Sequence, residues 1–157
     1  MRVLAVIPAR GGSKGIKNKN LSYVGDKHLL QISIEQAKKS KQISKLIVST
    51  DSKKIAKEAK FFGAEVPFLR PKKLALDSSL SVDVVIHAIN YYSNVKKEKF
   101  DAVLMLQPTS PFRTHKHISK AIKNFKKGSN KFDSLVSVVD VDGNHPFRMK
   151  KIIENKL

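Results

Sequence analysis

The fold of this chain is decided near its start, by the stretch Arg2-Val3-Leu4-Ala5-Val6-Ile7-Pro8-Ala9-Arg10-Gly11-Gly12-Ser13-Lys14-Gly15. The part up to Ile7 is an apolar run, rich in β-branched residues and closed by a proline. Such a run is typical of a strand buried on both faces of a parallel sheet. The residues that follow are rich in glycine and cations, a composition that makes a loop. The stretch therefore predicts a first strand over 2–7 and a glycine-rich loop over 8–20.

Downstream of this loop, helical and extended patterns alternate. The predicted elements are a helix over 28–39, a strand over 45–50, a helix from Asp51 or Ser52 to Gly63, an extended piece over 65–69, a helix over 81–92 with Val82, Val85, Ile86 and Ile89 at core spacing, a strand over 101–106, a helix over 117–127 and a strand over 134–139. This alternation predicts an α/β fold, with an open, mostly parallel sheet covered by helices on both faces.

The bulk composition limits the class of protein. The 157 residues are 41% hydrophobic and 28% charged, which predicts one soluble domain over 1–157. There is no cysteine, so disulfides and thiolate metal sites are excluded, and a reducing compartment fits. The apolar run at 3–7 is too short for a signal-peptide core or a membrane span, so the cytoplasm is the simplest location.

The net charge of +18 is the one abnormal bulk number. A nucleic-acid-binding protein would gather its cations on one face and include many arginines. In this chain only five of the 31 cationic residues are arginines, and the lysines are scattered along the sequence. The charge therefore favours a lysine-rich surface that attracts anionic ligands, with nucleic-acid binding as the less favoured alternative.

Three loops follow predicted strands and should meet at one edge of the sheet, where open parallel sheets bind their ligands. They are residues 8–20, 51–52 and 107–113. In the first, Gly11 and Gly12 let the backbone approach a phosphate closely. A hydroxyl and three cations that can bond phosphate stand beside them: Ser13, Arg10, Lys14 and Lys19.

The glycine spacing fits neither a Walker loop nor a Gly-x-Gly-x-x-Gly fingerprint. A glycine-rich turn with solvated lysines is the plain alternative.

Three blocks of the sequence together resemble one family. Residues 7–21, IPARGGSKGIKNKNL, resemble the nucleotide-binding loop of the acylneuraminate cytidylyltransferases, which make CMP-activated sialic acids and bacterial relatives such as legionaminic and pseudaminic acid. Residues 49–52, 63–71 and 74–77 are similar to a second block of that family, and residues 106–114 to a third. The resemblance implies a Rossmann-like three-layer sandwich of the nucleotide-diphospho-sugar transferase type.

The resemblance also implies roles for individual residues. The grip on the CTP phosphates and ribose falls on Arg10, Gly11, Gly12, Ser13, Lys14, Lys19 and Asn20, the cytidine pocket and its supports on Arg70, Asp77 and Ser79, and the junction with the incoming sugar on Gln107, Thr109 and Ser110. Arg10, Lys19 and Gln107 are the catalytic candidates.

Plainer interpretations remain open for some of these residues. Gln107 and Thr109 could satisfy loop backbone groups, and Ser110 could cap the next helix. Asp51 is expected to be a helix cap rather than a metal ligand.

The reaction implied is transfer of CMP from CTP to a nine-carbon α-keto sugar acid, with pyrophosphate released and Mg²⁺ as cofactor. Such CMP-sugars serve lipopolysaccharide or capsule. The metal ligands are unknown: His115 and His117 point to different faces of a helix, and Asp140 and Asp142 form only a weak Asp-x-Asp signal. The chain also carries Lys17 where the family usually has proline.

Family members continue past Leu157 with a dimerisation arm and a metal-binding segment, and the full-length proteins form homodimers. The resemblance therefore predicts a nucleotidyltransferase domain that lacks these parts, binds CTP and a sugar acid, and contacts neither nucleic acid nor membrane. A CTP-binding module with little or no turnover is the alternative function.

Overall fold

The computed structural model describes residues 1–13 and 15–138, and it centres on strand β1 (Val3–Pro8). Strand β4 (Lys45–Ser49) pairs with β1 on one side and β5 (Ala102–Met105) on the other, both in parallel. Because β1 is central and has helices above and below it, its residues 3–7 are almost fully buried. The predicted first three strands and their parallel arrangement are confirmed.

Helices cover both faces of this sheet. Three of them, α1 (Leu29–Lys38), α2 (Lys53–Phe61) and α4 (His115–Gly128), pack on the face that carries alternate β1 side chains beginning at Val3. Helix α3 (Ser81–Tyr91) packs on the opposite face, against the intervening side chains Leu4 and Val6. The alternation of β1 side chains between two cores gives the predicted three-layer α/β sandwich.

Local polar contacts set the helix ends. Ser52 Oγ accepts the N–H of Ile55 at 3.4 Å and starts α2, which stops before Gly63 at a positive φ of 86°. Helix α4 starts at His115, two residues earlier than predicted, because the preceding Thr114 and His117 form a reciprocal capping box. A two-stranded hairpin absent from the prediction, β2 (Tyr23–Val24) and β3 (Lys27–His28), leads into α1.

The predicted buried face of α3 is wrong. Val82, Ile86 and Ile89 are 54%, 47% and 37% exposed, whereas Val84 and Ala88 are buried. The aromatic rings at the end of the helix explain which face is buried. The tyrosines at 91 and 92 pack edge-on with the rings of Phe68 and Phe100, and their large apolar area sets the rotation of the helix.

The predicted strand over 134–139 is also wrong for the residues that the structure describes. Residues 134–138 form no helix or strand and are exposed, with Val136 at 80% and Val138 at 91%. No described strand exchanges backbone hydrogen bonds with them, and an unpaired strand has no ladder to stabilise it. Val139 lies outside the described residues. Within 1–13 and 15–138, no helix is long and apolar enough to cross a bilayer.

Candidate active site

A cavity of about 260 Å³ opens at the carboxyl edge of the sheet. The loop after β1, the segment 70–81 and the loop after β5 form its walls. Nine of the predicted site residues line it: Arg10, Ser13, Lys19, Asn20, Arg70, Asp77, Ser79, Gln107 and Thr109. Residues that are far apart in the sequence thus face one space, as expected for ligand-binding loops at this edge of a parallel sheet.

The glycine-rich loop is held on the turn that follows β4. The Ala9 N–H donates to the Ser49 carbonyl at 3.0 Å, and the Gly11 N–H donates to Asp51 Oδ1 at 2.9 Å. From the other side, Asn20 Nδ2 donates to the Arg10 carbonyl at 3.0 Å. Asn20, which is buried, therefore braces the loop in addition to lining the cavity.

The two glycines differ in the space around them. A Cβ on Gly11 would lie 2.9 Å from Ser52 Cβ, which is closer than real side chains approach, whereas a Cβ on Gly12 would meet nothing within 4 Å. Glycine at position 11 is therefore required by the close approach of two backbone segments. Neither glycine is among the residues that line the cavity.

The expectation that Asp51 caps a helix is wrong, because Ser52 supplies that cap and the Asp51 carboxylate turns instead toward Gly11. Nor do three His, Asp or Glu side chains come together at metal-binding distance anywhere in the described part of the chain. His117 is engaged in the cap of α4. Asp140, Asp142 and Lys14 lie outside the described residues.

Arg10 reaches across the cavity mouth. Its guanidinium donates to the Asp77 carboxylate and, at 3.4 Å, to the Ala75 carbonyl. The arginine predicted to grip phosphate thus contacts an internal carboxylate. Lys19 lines the same side of the cavity, so two cations, together with the Ser13 hydroxyl, face the space near the glycine-rich loop.

Arg70 is buried and holds residues 70–74 by hydrogen bonds. Its guanidinium donates to the carbonyls of Ser49 at 2.5 Å and Leu74 at 3.2 Å, while its Nε has no hydrogen-bond partner among the described residues. Burial lowers the pKa of this group; the Asp51 charge opposes that shift and the Arg10 charge adds to it. Arg70 therefore ties residues 70–74 to the end of β4.

The segment 74–84 contributes an apolar part of the wall that sequence reasoning missed. Leu74, Leu76 and Val84 line the cavity beside the polar residues. Ser79 shapes the turn, since its Oγ accepts the Leu76 N–H at 3.1 Å and donates to the Lys73 carbonyl at 3.0 Å. An available signal was the presence of two leucines in a polar loop between a proline and a helix.

The loop after β5 is fastened to helix α1. Arg113 Nη2 approaches Ser33 Oγ at 3.5 Å, and the His115 N–H donates to Gln36 Oε1 at 2.9 Å. Burial lowers the pKa of Arg113. These contacts hold the stretch that presents Gln107 and Thr109 to the cavity. Ser110 does not line the cavity, and the interpretation that it caps the next helix is wrong, because Thr114 is the cap.

A sequence-family model described as Cytidylyltransferase matches residues 4–153. The chain is 40% identical over 137 residues to the N-acylneuraminate cytidylyltransferase of Escherichia coli O18:K1:H7, covering 87% of this chain and 31% of that protein. It is 44% identical over 126 residues to the CMP-N,N'-diacetyllegionaminic acid synthase of Legionella pneumophila, covering 80% of this chain and 54% of that protein.

The chain is also 36% identical over 155 residues to the post-translational flagellin modification protein B of Campylobacter coli, covering 99% of this chain and 65% of that protein. It thus spans 31 to 65% of the length of these relatives.

Among solved structures, a CMP:2-keto-3-deoxy-manno-octonic acid synthetase complexed with CTP superposes with a TM-score of 0.68 at 20% identity, covering 82% of this chain and 49% of that one. At this identity the likeness concerns the fold, and it agrees with the Rossmann-like nucleotidyltransferase architecture predicted from the sequence.

Proposed function

This chain belongs to the cytidylyltransferase family, and from that premise we propose that it transfers CMP from CTP to a nine-carbon α-keto sugar acid and releases pyrophosphate. The observation that carries the proposal is the meeting of three loops, distant in sequence, at one cavity that has cations on one wall and polar amide and hydroxyl groups on another. The relatives named for N-acylneuraminate and diacetyllegionaminic acid support the sugar-acid class.

The triphosphate binds beside the glycine-rich loop. Arg10 and Lys19 supply charge-assisted bonds to its oxygens, and Ser13 adds a hydroxyl donor. Lys14 follows directly in the sequence and is proposed as a further cation of this group. Arg10 Nη2 donates to the Asp77 carboxylate, so a phosphate that binds at this edge of the guanidinium competes with Asp77 for it.

The cytidine binds against the segment that Arg70 supports. Leu74, Leu76 and Val84 offer an apolar surface to a pyrimidine ring, and the turn held by Ser79 places backbone groups around it. Selectivity for cytosine is proposed to come from these fixed backbone groups, because a flat aromatic ring is discriminated by the direction of donors and acceptors at its edge.

The sugar acid enters from the side of Gln107 and Thr109. Both side chains are exposed and face the cavity, so they can bond the hydroxyl and carboxylate oxygens of a keto acid. Ser110 lies one residue further along and is proposed to contact the outer part of the sugar.

The chemical step consists of positioning and charge neutralisation. The anomeric hydroxyl oxygen forms a bond to the α-phosphorus of CTP, the bond from that phosphorus to the bridging oxygen breaks, and the hydroxyl proton passes to solvent. Arg10 and Lys19 stabilise the negative charge that develops on the departing pyrophosphate.

Mg²⁺, proposed as the cofactor, would neutralise phosphate charge in the same way. The described residues do not form a cluster of His, Asp or Glu that fits it, so no step of the transfer is assigned to the ion.

The direct test is pyrophosphate release by the purified chain with CTP and a panel of nine-carbon keto acids, including N-acetylneuraminic, legionaminic and pseudaminic acids. We expect release that depends on both CTP and a sugar acid. CTP binding without release from any acid would favour the alternative, a nucleotide-binding module, and would contradict the transferase proposal for this chain.

A further inference from the structure

Asp51 follows strand β4 and lies half-buried beneath the glycine-rich loop. Its Oδ1 accepts the Gly11 N–H at 2.9 Å, in a bond that joins positions 40 residues apart. Helix α2 does not use this carboxylate, because Ser52 caps it. The hydrogen bond of Asp51 is therefore made to the loop.

A carboxylate at this place is electrostatically unfavourable for a site that receives a triphosphate, because like charges repel. Two neighbours offset that cost. The Gly11 amide donates to it, and such a bond to a charged acceptor is stronger than one between neutral groups. The Arg70 guanidinium is close enough for the Asp51 charge to stabilise its ionised form.

The contact fixes the direction of the loop. A Cβ on Gly11 would lie 2.9 Å from Ser52 Cβ, so the Gly11 backbone packs directly against the turn after β4. The hydrogen bond to Asp51 fixes the orientation of the Gly11 peptide group at this position. The next residues, Gly12 and Ser13, leave this anchored point, and Ser13 lines the cavity. A change in the orientation of the Gly11 backbone would therefore displace the residues that face the phosphates.

We infer that Asp51 is a positioning residue of the nucleotide site, which acts by holding the Gly11 amide and so orienting the phosphate-binding backbone. The inference rests on the proposed function, since it assigns the loop to a triphosphate. It differs from two other roles for the same carboxylate, as a ligand of the metal ion or as a counter-ion that only stabilises Arg70.

Two substitutions separate these roles. Asp51→Asn keeps an oxygen that can accept the Gly11 N–H but removes the charge, whereas Asp51→Ala removes both. Asp101 offers a matched control, because its carboxylate also accepts a backbone N–H, that of Arg2 at 2.5 Å, at the amino edge of the sheet away from the cavity. Asp101→Ala therefore makes the same chemical change outside the site.

The experiment is a calorimetric titration of CTP into the wild-type chain and the three variants, each with Mg²⁺ and with EDTA, after thermal melts have shown that all are folded. We expect Asp51→Ala to weaken CTP binding by about tenfold or more in both buffers, as for loss of one charged hydrogen bond. Asp51→Asn should stay within about threefold of wild type, because its weaker neutral hydrogen bond is offset by the loss of a charge that repels the triphosphate. Asp101→Ala should also stay within about threefold.

Hydrogen exchange supplies a second readout that needs no nucleotide. The Gly11 amide should exchange faster in Asp51→Ala than in wild type and should stay protected in Asp51→Asn. Equal weakening by Asn and Ala, weakening seen only with Mg²⁺, or unchanged Gly11 exchange in Asp51→Ala would each overturn the inference. Failure of the wild-type chain to bind CTP would overturn the proposed function instead, and the inference with it.

Discussion

The Arg10 guanidinium donates to the Asp77 carboxylate across the mouth of the cavity, joining the glycine-rich loop to the segment that follows Pro71. This carboxylate takes the place that the proposed function gives to phosphate oxygens. Both side chains are partly exposed, so the pair itself contributes little to stability. Its main consequence is that Asp77 competes with anions for Arg10 and so lowers the affinity of the site for them.

Removing the Asp77 charge should strengthen binding of simple anions. Asp77→Asn frees Arg10 from its internal partner and removes a repulsive charge, so we expect pyrophosphate to bind about two- to fivefold more tightly, the range for one exposed ion pair. Calorimetry with pyrophosphate measures this. Asp83→Asn, on α3 and outside the cavity lining, is the control. Weaker pyrophosphate binding by Asp77→Asn would mean that Asp77 positions Arg10 instead of competing for it.

The two glycines of the loop should differ in their tolerance of alanine. Gly11→Ala brings a methyl group to 2.9 Å from Ser52 Cβ, so part of the backbone must move, at a cost of about 1–3 kcal/mol in the free energy of unfolding. Gly12→Ala meets no atom within 4 Å and should change stability by about 0.5 kcal/mol or less. Urea unfolding of both variants decides the matter, and equal costs would contradict the close packing of Gly11.

Helix α3 offers a second matched pair, chosen to test which of its faces is buried. Val84→Ala removes two buried methyl groups and should lower the free energy of unfolding by about 1–3 kcal/mol. This range lies between the usual costs of Ile→Val and Leu→Ala substitutions in a core. Val82→Ala lies on the exposed face and should cost about 0.5 kcal/mol or less. A larger cost at Val82 than at Val84 would restore the face predicted from the sequence.

Glu98 gives the fold a dependence on pH. Its carboxylate contacts Lys45 Nζ at 3.0 Å and Arg2 Nη2 at 3.1 Å, and these contacts, the hydrogen bond from Lys45 first, lower its pKa below the ordinary value of 4.5. Because the folded-state pKa is the lower one, the stabilisation is present above pH 4.5 and is lost as the pH falls through the folded-state pKa.

The matching variant is Glu98→Gln, with thermal melts between about pH 3 and pH 7. The wild-type chain should melt at a higher temperature than the variant at neutral pH, and the two melting temperatures should converge toward the acid end of the range. A difference that stays constant over this range would show that the charge of Glu98 does not stabilise the folded chain.

Sequence patterns predicted the parts of the fold that depend on local chemistry. The buried run before Pro8 and the glycine that ends α2 each follow from neighbouring residues, and the structure has them; the sequence offered both Asp51 and Ser52 as the cap of α2, and the structure uses Ser52. The order of strands and helices placed three loops at one edge; two of them line the cavity, and the third, at 51–52, supports the glycine-rich loop from beneath.

The errors arose where competition between distant groups decides the outcome. Apolar spacing on α3 favoured Val82 and Ile86, but the tyrosine rings bury more surface and turn the helix the other way. The sequence predicted a strand over 134–139, yet a strand needs a partner, and no described strand pairs with residues 134–138. The Asp51–Gly11 bond likewise joins residues too far apart for spacing to reveal it.

The central claim is that the cavity beside the glycine-rich loop is a cytidine triphosphate site. Calorimetric titration of the purified chain with CTP, ATP and GTP under identical conditions tests it most directly. We predict that CTP binds at least about tenfold more tightly than either purine nucleotide, a difference of about 1.4 kcal/mol. Equal affinity for all three nucleotides would contradict the claim, because it would leave only a cationic site for phosphate.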